Sequence, residues 1–506
     1  MSLGGSAKRG IAWAISSNLA NQVFQFGVGI VLARLLAPTD FGVFAVTGIF
    51  TGLAGVVSNI GLGSALVQRP VVEERHRRSM LAMNLISASA IVLLLAGAST
   101  WISRYFHQPI AGPVLRLTAL NFLLNAISSV SFSLLSRGLR FRTLAVTEAG
   151  AAVANGAAAV GLALAGYGVW AIAWAGIVQS VVRSLVLLWQ AKWVPRLAWD
   201  RAALGDLLGL GAGLTLKRVI NYAAANVDYF VIGRRLGAAD LGFYTRAYGL
   251  ITLPVTQLSR VIMTVLFPAF SRIQDDNARL NAGYLRVVTA TALVSFPFLA
   301  GLGLVAPAFI AVVYGDKWLP AVLPLKVMCV AGMMKSVTTF VGSIADAKGQ
   351  VMSEVRRQLV YLALLVAGTV IGSRFGTGGV AAAVVGASFC MLLMMQSFLG
   401  RLTGMRWGPY LGALKPALAG TAVMAGAVLV TQALLRRITA ETSPLMLFAS
   451  TVTGILVYAC VLLGGHFPHV RALRQELTAD LAALRGRVQA RARATGKSET
   501  CPELPR

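Results

Sequence analysis

Long apolar runs, broken by short polar and basic gaps, fill the chain almost from end to end. About 20 apolar residues form one helix that crosses the hydrocarbon core of a bilayer. Runs of that length fall near 11–33, 42–66, 79–102, 113–136, 143–165 and 168–190, then near 207–233, 241–269, 286–312, 319–346, 352–373 and 377–400. Two more lie near 411–435 and 444–464. The pattern predicts an all-α polytopic membrane protein of about 14 transmembrane helices. The runs 143–165 and 168–190 are separated only by Gly166 and Tyr167. Together they are too long for one crossing, so two helices are expected there.

Composition agrees with lipid as the main solvent. Charged residues make up 12% of the chain and apolar residues 57%, whereas a soluble domain carries about 25% charge. The net charge of +27, from 45 Lys and Arg against 18 Asp and Glu, sits in the gaps between apolar runs. It does not cluster on a soluble face as a nucleic-acid binder requires, so no nucleic-acid partner is expected. Cys329, Cys390 and Cys460 lie inside apolar runs and Cys501 in the tail, while His76, His107, His466 and His469 lie in or beside loops. Neither set has metal-ligand spacing, so no metal and no cofactor are expected.

The loop charges orient the spans. With the N-terminus in the cytoplasm, cytoplasmic segments such as those around Arg75, Arg140, Arg196, Arg279, Arg356 and Arg406 carry more than twice as many basic residues as the opposite loops. Cytoplasmic loops are the basic ones, so both termini are expected in the cytoplasm of a bacterial inner-membrane protein. Lys8 and Arg9 precede a segment with several amides and no clear cleavage site, which points to a retained first span. In the tail, 466–506, Val470, Leu473, Leu477, Leu481, Leu484 and Val488 recur at helical spacing. That basic amphipathic helix suits a solvated cytosolic segment, an anionic lipid surface or a partner.

An internal repeat organises the chain. Arg34-Leu-Leu-Ala-Pro-Thr-Asp40-Phe-Gly42-Val-Phe44 ends the first span, and Arg234-Arg-Leu-Gly-Ala-Ala-Asp240-Leu-Gly242-Phe-Tyr244 ends the seventh. Arg, Leu, Asp and Gly coincide at a fixed offset, as do Asn21 and Asn221. Six spans separate the copies, so both halves have the same orientation, as in transporters with parallel repeats. The expected domains are 1–200 (spans 1–6), 201–405 (spans 7–12), 406–465 (two further spans) and the tail. A substrate site is expected between the first two.

Charges buried in the membrane are costly and mark cavities. Arg116, Arg183, Arg246 and Lys326 lie near helix ends, where snorkelling to the interface competes with function. Lys217, Arg218, Arg260 and Lys335 lie deeper and are expected to line a cavity. Span one carries Asn18, Asn21, Gln22 and Gln25 on one face, and span seven carries Arg218, Asn221, Ala225 and Asp228 on the matching face. Interhelical amide hydrogen bonds explain such stripes, as does a cavity shared by the two repeats. Lys and Arg suit an anion such as a diphosphate, and amides suit sugar hydroxyls. The candidate substrate-binding set is therefore Arg218, Arg260, Lys335, Lys217, Asn221, Asn18, Asn21 and Gln25.

LARLLAPTDFG at 32–42, RGLRFRTLA at 137–145, GYGVWA at 166–171, NVDYFVIGRRLGAADLGFYTRAYGL at 226–250, FPAFSRIQ at 267–274 and YGDKW at 314–318 resemble the polysaccharide transporter family. The resemblance is to Wzx/WzxC-like oligosaccharide flippases of the MOP superfamily. It implies the MOP fold, alternating access, and movement of undecaprenyl-diphosphate-linked oligosaccharide units for exopolysaccharide, capsule or O-antigen synthesis. Membrane lipids, a polysaccharide polymerase and chain-length or export proteins are the partners it implies.

Other classes stay in view. A multidrug exporter would meet four deep cations in its cavity, which disfavours cationic cargo. A lipid II flippase is closer in substrate chemistry, but these motifs look less like that branch. A membrane glycan polymerase or ligase needs a catalytic outer loop, and the outer loops here are short and lack a His–carboxylate cluster, so an enzyme is not expected. No GxxxxGK[ST] loop occurs, which leaves an ion gradient, the membrane potential or downstream polymerisation to drive cycling. The intramembrane carboxylates are Asp228, Glu148 and Asp346. Asp228 is the candidate coupling residue, with an ion pair to Arg246 as the rival role.

Overall fold

The computed structural model describes residues 20–58, 63, 66–67, 71–200, 212–252, 270 and 272–464, the side chains of 212–216 excepted. The described residues are almost wholly helical. In order the helices are α1 (20–35), α2 (Pro38–Ser58), α3 (Glu74–Tyr105), α4 (Ala111–Arg137), α5 (Phe141–Leu164) and α6 (Val169–Ala191). Then come α7 (Ala212–Arg235), α8 (238–252), α9 (Asn277–Phe309), α10 (Val322–Ala347), α11 (Val351–Gly372) and α12 (Gly376–Thr403). Helices α13 (Trp407–Leu435) and α14 (Pro444–Gly464) close the set. By length and composition, ten helical stretches among the described residues suffice to cross a membrane, and the chain is a multi-pass membrane protein. The count of 14 spans stays an expectation, because parts of the first, second, seventh and eighth runs lie outside the described residues, as does the tail.

Each expected run has a helix over its described part, and the predicted split at Gly166-Tyr167 is present. Gly166 and Gly168 take φ values of +82° and +54°, in the left-handed region that side chains disfavour, so the chain reverses there. Helices α3 and α9 begin earlier than their apolar runs, at Glu74 and Asn277. The extra turns carry Arg75, Arg77 and Arg78 on α3 and Asn277, Arg279 and Asn281 on α9, as suits helix ends that leave the hydrocarbon.

The apolar cores show how the helices are joined. One core takes residues from both helix groups, α1–α6 and α7–α12: Leu36, Phe41 and Phe106 with Leu241, Tyr244 and Trp318. All lie near the α1–α2, α3–α4, α7–α8 and α9–α10 connections, the end that the loop charges assign to the outside. At the opposite end, among the described residues, the cores are separate. Leu66, Met80, Leu81, Val130 and Trp193 form one within the first group. Phe270, Leu280, Tyr284, Phe340 and Tyr410 form another, with Leu462 of α14 packed against it, and it takes no described residue from α1–α6.

Candidate functional site

The sealed end is built by the repeat itself. A Cβ on Gly42 would collide with the Ala238 carbonyl, and a Cβ on Gly242 with the Pro38 carbonyl. The N-termini of α2 and α8 thus touch backbone to backbone, possible only without side chains at those two positions. Next to them, Arg34 crosses from α1 to the end of α9. Its Nε donates to the Val313 carbonyl at 3.0 Å and its Nη2 to that of Val312. Its repeat equivalent, Arg234, crosses from α7 to the end of α3. There its guanidinium lies 5.0 Å from the centre of the Tyr105 ring and 3.1 Å from His107 Nδ1. Gly233 packs on Phe106, while at the equivalent Ala33 the carbonyl accepts from Trp318 Nε1 at 2.7 Å.

The YGDKW segment supplies the cap of α1. The last carbonyls of a helix lack intrahelical partners. Lys317 Nζ donates to Arg34 O and Leu36 O, both at 2.8 Å, and Trp318 serves Ala33. The Trp318 ring also packs edge-on against Phe41 and Phe243, one from each helix group. Within α2, Asp40 Oδ2 accepts from the Ala37 amide at 2.9 Å, tying down the turn before it.

Below the seal, α7 divides its charges. Arg218, Asn221 and Ala225 share an exposed face, as the helical spacing predicted. Asp228, next on that stripe, is buried: Oδ2 accepts from the Tyr244 hydroxyl at 2.9 Å and Oδ1 from the Tyr229 amide. Lys335 on α10 interacts electrostatically with it and donates to the Tyr248 hydroxyl at 3.3 Å. The rival role for Asp228, an ion pair with Arg246, is absent. Arg246 instead points back toward the first helix group and stacks 3.8 Å over the Phe41 ring. The two side chains leave different faces of α7 and α8.

Lys217 is not free either. It is clamped between Asp346 on α10 at 2.8 Å and Glu354 on α11 at 2.7 Å. Glu354 was missed in the sequence because it opens its span, yet it follows Asp346 across a tight α10–α11 turn, which brings the two together. Of the remaining candidates, Asn21 and Gln25 lie half-buried on α1, and Asn21 Oδ1 has no hydrogen-bond partner among the described residues. Arg260 and Asn18 lie outside the described residues. Arg183, a snorkelling candidate by sequence, pairs with Glu148 at 2.7 Å.

An apolar groove of about 730 Å³ runs beside α1 and α8 onto α13 and α14, lined by residues such as Val23, Leu250, Phe298, Val305 and Ile455. Gln22 stands at its rim.

This architecture is the MOP flippase fold. The solved structure of the lipid II flippase MurJ in an inward closed conformation superposes with a TM-score of 0.71 at 16% identity, over 89% of this chain and 97% of that one. Residues 31–323 match the family model described as polysaccharide biosynthesis protein, and the chain belongs to that family. The chain is similar to the teichuronic acid biosynthesis protein TuaB of Bacillus subtilis (strain 168), 30% identical over 67% of this chain and 71% of that protein. It is also similar to the lipopolysaccharide biosynthesis protein WzxC of Escherichia coli (strain K12), 28% identical over 70% of this chain and 73% of that one.

Proposed function

We propose that this protein is a flippase that carries undecaprenyl-diphosphate-linked oligosaccharide units across the bacterial inner membrane, without catalysing a reaction. The observation that carries the reading is the one-ended seal between α1–α6 and α7–α12. Repeat-equivalent residues close the outer end, while among the described residues the cores at the other end are separate, an arrangement that fits one state of an alternating-access cycle. The two six-helix groups act as the rocking bundles (1–200 and 201–405), with α13 and α14 as an addition and both termini in the cytoplasm.

The lipid link is supported by the apolar groove, whose side chains suit a polyprenyl tail. The polar part is supported by the exposed face of α7. Arg218 and Arg260 bind the diphosphate, because guanidinium groups pair bidentately with phosphate oxygens. Asn221, Asn18, Asn21 and Gln25 face the sugars. In this state Lys217 and Lys335 are occupied within α7–α11, so they reach substrate only in another state of the cycle. Asp228 is the coupling residue, taking an ion or proton beside Lys335. A polymerase and chain-length or export proteins receive the product outside.

A strain lacking the protein tests the reading. Lipid extracts should accumulate undecaprenyl-diphosphate-linked oligosaccharide, identified by mass spectrometry, and surface polymer should disappear. Unchanged polymer with no accumulated intermediate would overturn it.

A further inference from the structure

The first helix group holds a polar pocket that the candidate set does not touch. It lies between α2, α4 and α6 and has a volume of about 220 Å³. Its polar lining is Thr47 and Thr51 from α2 with Thr118, Asn121 and Asn125 from α4. Phe44 and Phe122 supply apolar walls, and Gly176 on α6 completes it. Thr118, Asn121 and Asn125 follow one face of α4, a stripe legible in the sequence by its spacing.

The hydrogen bonds fix what this lining offers. Asn121 Oδ1 accepts from Ser180 Oγ at 2.6 Å, and its Nδ2 donates once, to the Thr118 carbonyl. Asn125 Oδ1 accepts from Arg183 Nη1 at 3.0 Å, and its Nδ2 donates once, to the Asn121 carbonyl. An amide nitrogen has two hydrogens, so each asparagine keeps one N–H to give. The hydroxyls of Thr47, Thr51 and Thr118 donate to carbonyls of their own helices, which leaves their lone pairs as acceptors. Arg183 is neutralised by Glu148, so the pocket carries no net charge. Asn125 is exposed at its mouth.

We infer that this pocket binds one neutral pyranose ring of the oligosaccharide. A sugar ring presents hydroxyls that both donate and accept around its edge, and C–H faces that pack on aromatic rings. The pocket offers both: amide donors and hydroxyl acceptors, with the rings of Phe44 and Phe122 in the same lining. Its volume is below the usual 300–1,000 Å³ of sites for drug-sized ligands, so it takes one ring and not the whole glycan. It is also next to the moving seam. Gly48, between Thr47 and Thr51 on α2, has a carbonyl that accepts from the Tyr222 hydroxyl of α7 at 3.0 Å. The pocket is thus a specificity subsite, set apart from the diphosphate site on α7. The identity of the sugar's source rests on the flippase reading; the binding chemistry does not.

The test uses the whole protein in lipid nanodiscs and saturation-transfer NMR with the methyl glycosides of glucose, galactose and N-acetylglucosamine as probes. At least one glycoside should receive saturation beyond empty nanodiscs. The signal should fall at least several-fold in Asn121→Leu and in Gly176→Val, and persist in Cys390→Ser, an exposed position on α12 outside the pocket. A Cβ at Gly176 meets only Asn121 Nδ2, at 3.8 Å, so a side chain there enters the pocket without meeting backbone and without removing a polar group. No transfer to any of the three glycosides, or undiminished transfer in both pocket variants, overturns the inference. Accumulation of lipid-linked intermediates in the deletion strain without glycoside binding would remove the pocket alone. Glycoside binding without accumulation would remove the flippase reading alone.

Discussion

Gly42 and Gly242 each lie against the carbonyl that stands four residues before the other, Ala238 and Pro38. The contact is reciprocal because the two glycines are repeat equivalents, and it places the closure point of the sealed end on the repeat axis. Arg34 and Arg234 extend the same symmetry, each reaching the end of the third helix in the opposite group.

Side chains at either glycine should therefore hold the outer end open. Overpacking of this kind costs about 1–3 kcal/mol, a shift of roughly 5- to 150-fold in the closed-to-open ratio. In a background without the native cysteines, Ala225→Cys should react slowly with an impermeant maleimide added outside. Gly42→Val and Gly242→Val should each accelerate that labelling within this range and depress transport. Equal labelling rates in all three proteins would remove the seal from the mechanism.

The cap on α1 gives a finer perturbation. Trp318→Phe keeps the packing against Phe41 and Phe243 but loses the bond to the Ala33 carbonyl, worth about 1 kcal/mol. Lys317→Met loses two charge-assisted bonds and should cost more. Both should raise outside labelling in that order, and the double variant should fall short of additivity because the two side chains serve one helix end.

Lys217 and its two carboxylates form a lock within the second helix group. Lys217 and Glu354 have side chains 16% and 12% exposed, so Lys217→Met leaves carboxylates poorly solvated. Full burial would make this a 3–5 kcal/mol loss; partial exposure reduces it to about 1–3 kcal/mol. Lys217→Met should lower the thermal midpoint, and adding Glu354→Gln should recover part of the loss. A double variant less stable than Lys217→Met would contradict the lock.

Asp228 and Arg246 should behave independently. Asp228→Asn is expected to lose gradient-driven transport while keeping substrate binding. Arg246→Gln should not rescue it, whereas Lys335→Gln should restore part of the stability by removing the cation left beside the neutralised site. Rescue by Arg246→Gln in proteoliposomes would restore the ion-pair role.

The spans, the reversal at Gly166 and the repeat were legible because each depends on local pattern: apolar length, a glycine turn and a fixed offset. Partners across helices were not. Arg246 and Asp228 each sit on a readable helix face, but which neighbour that face meets depends on how α8 packs on α1 and α2. The glycine contact shows the same limit, since Gly42 and Gly242 were visible as equivalents but not as mutual neighbours. Lys317 and Trp318 stood out only as a family motif, because the α1 carbonyls they cap lie far away in sequence. The stripe Thr118, Asn121 and Asn125 is readable by the spacing that identified Arg218 and Asn221, but it has no polar counterpart at the repeat offset, where Trp318, Ala321 and Leu325 stand.

Transport by the purified protein tests the central claim most directly. Proteoliposomes carrying undecaprenyl-diphosphate-linked oligosaccharide from the deletion strain should show protein-dependent movement of the glycan between leaflets, read as the fraction open to an impermeant sugar-modifying reagent. Arg218→Ala and Gly42→Val should both suppress that movement. Equal movement in protein-free vesicles and proteoliposomes, or undiminished movement in both variants, would contradict the account.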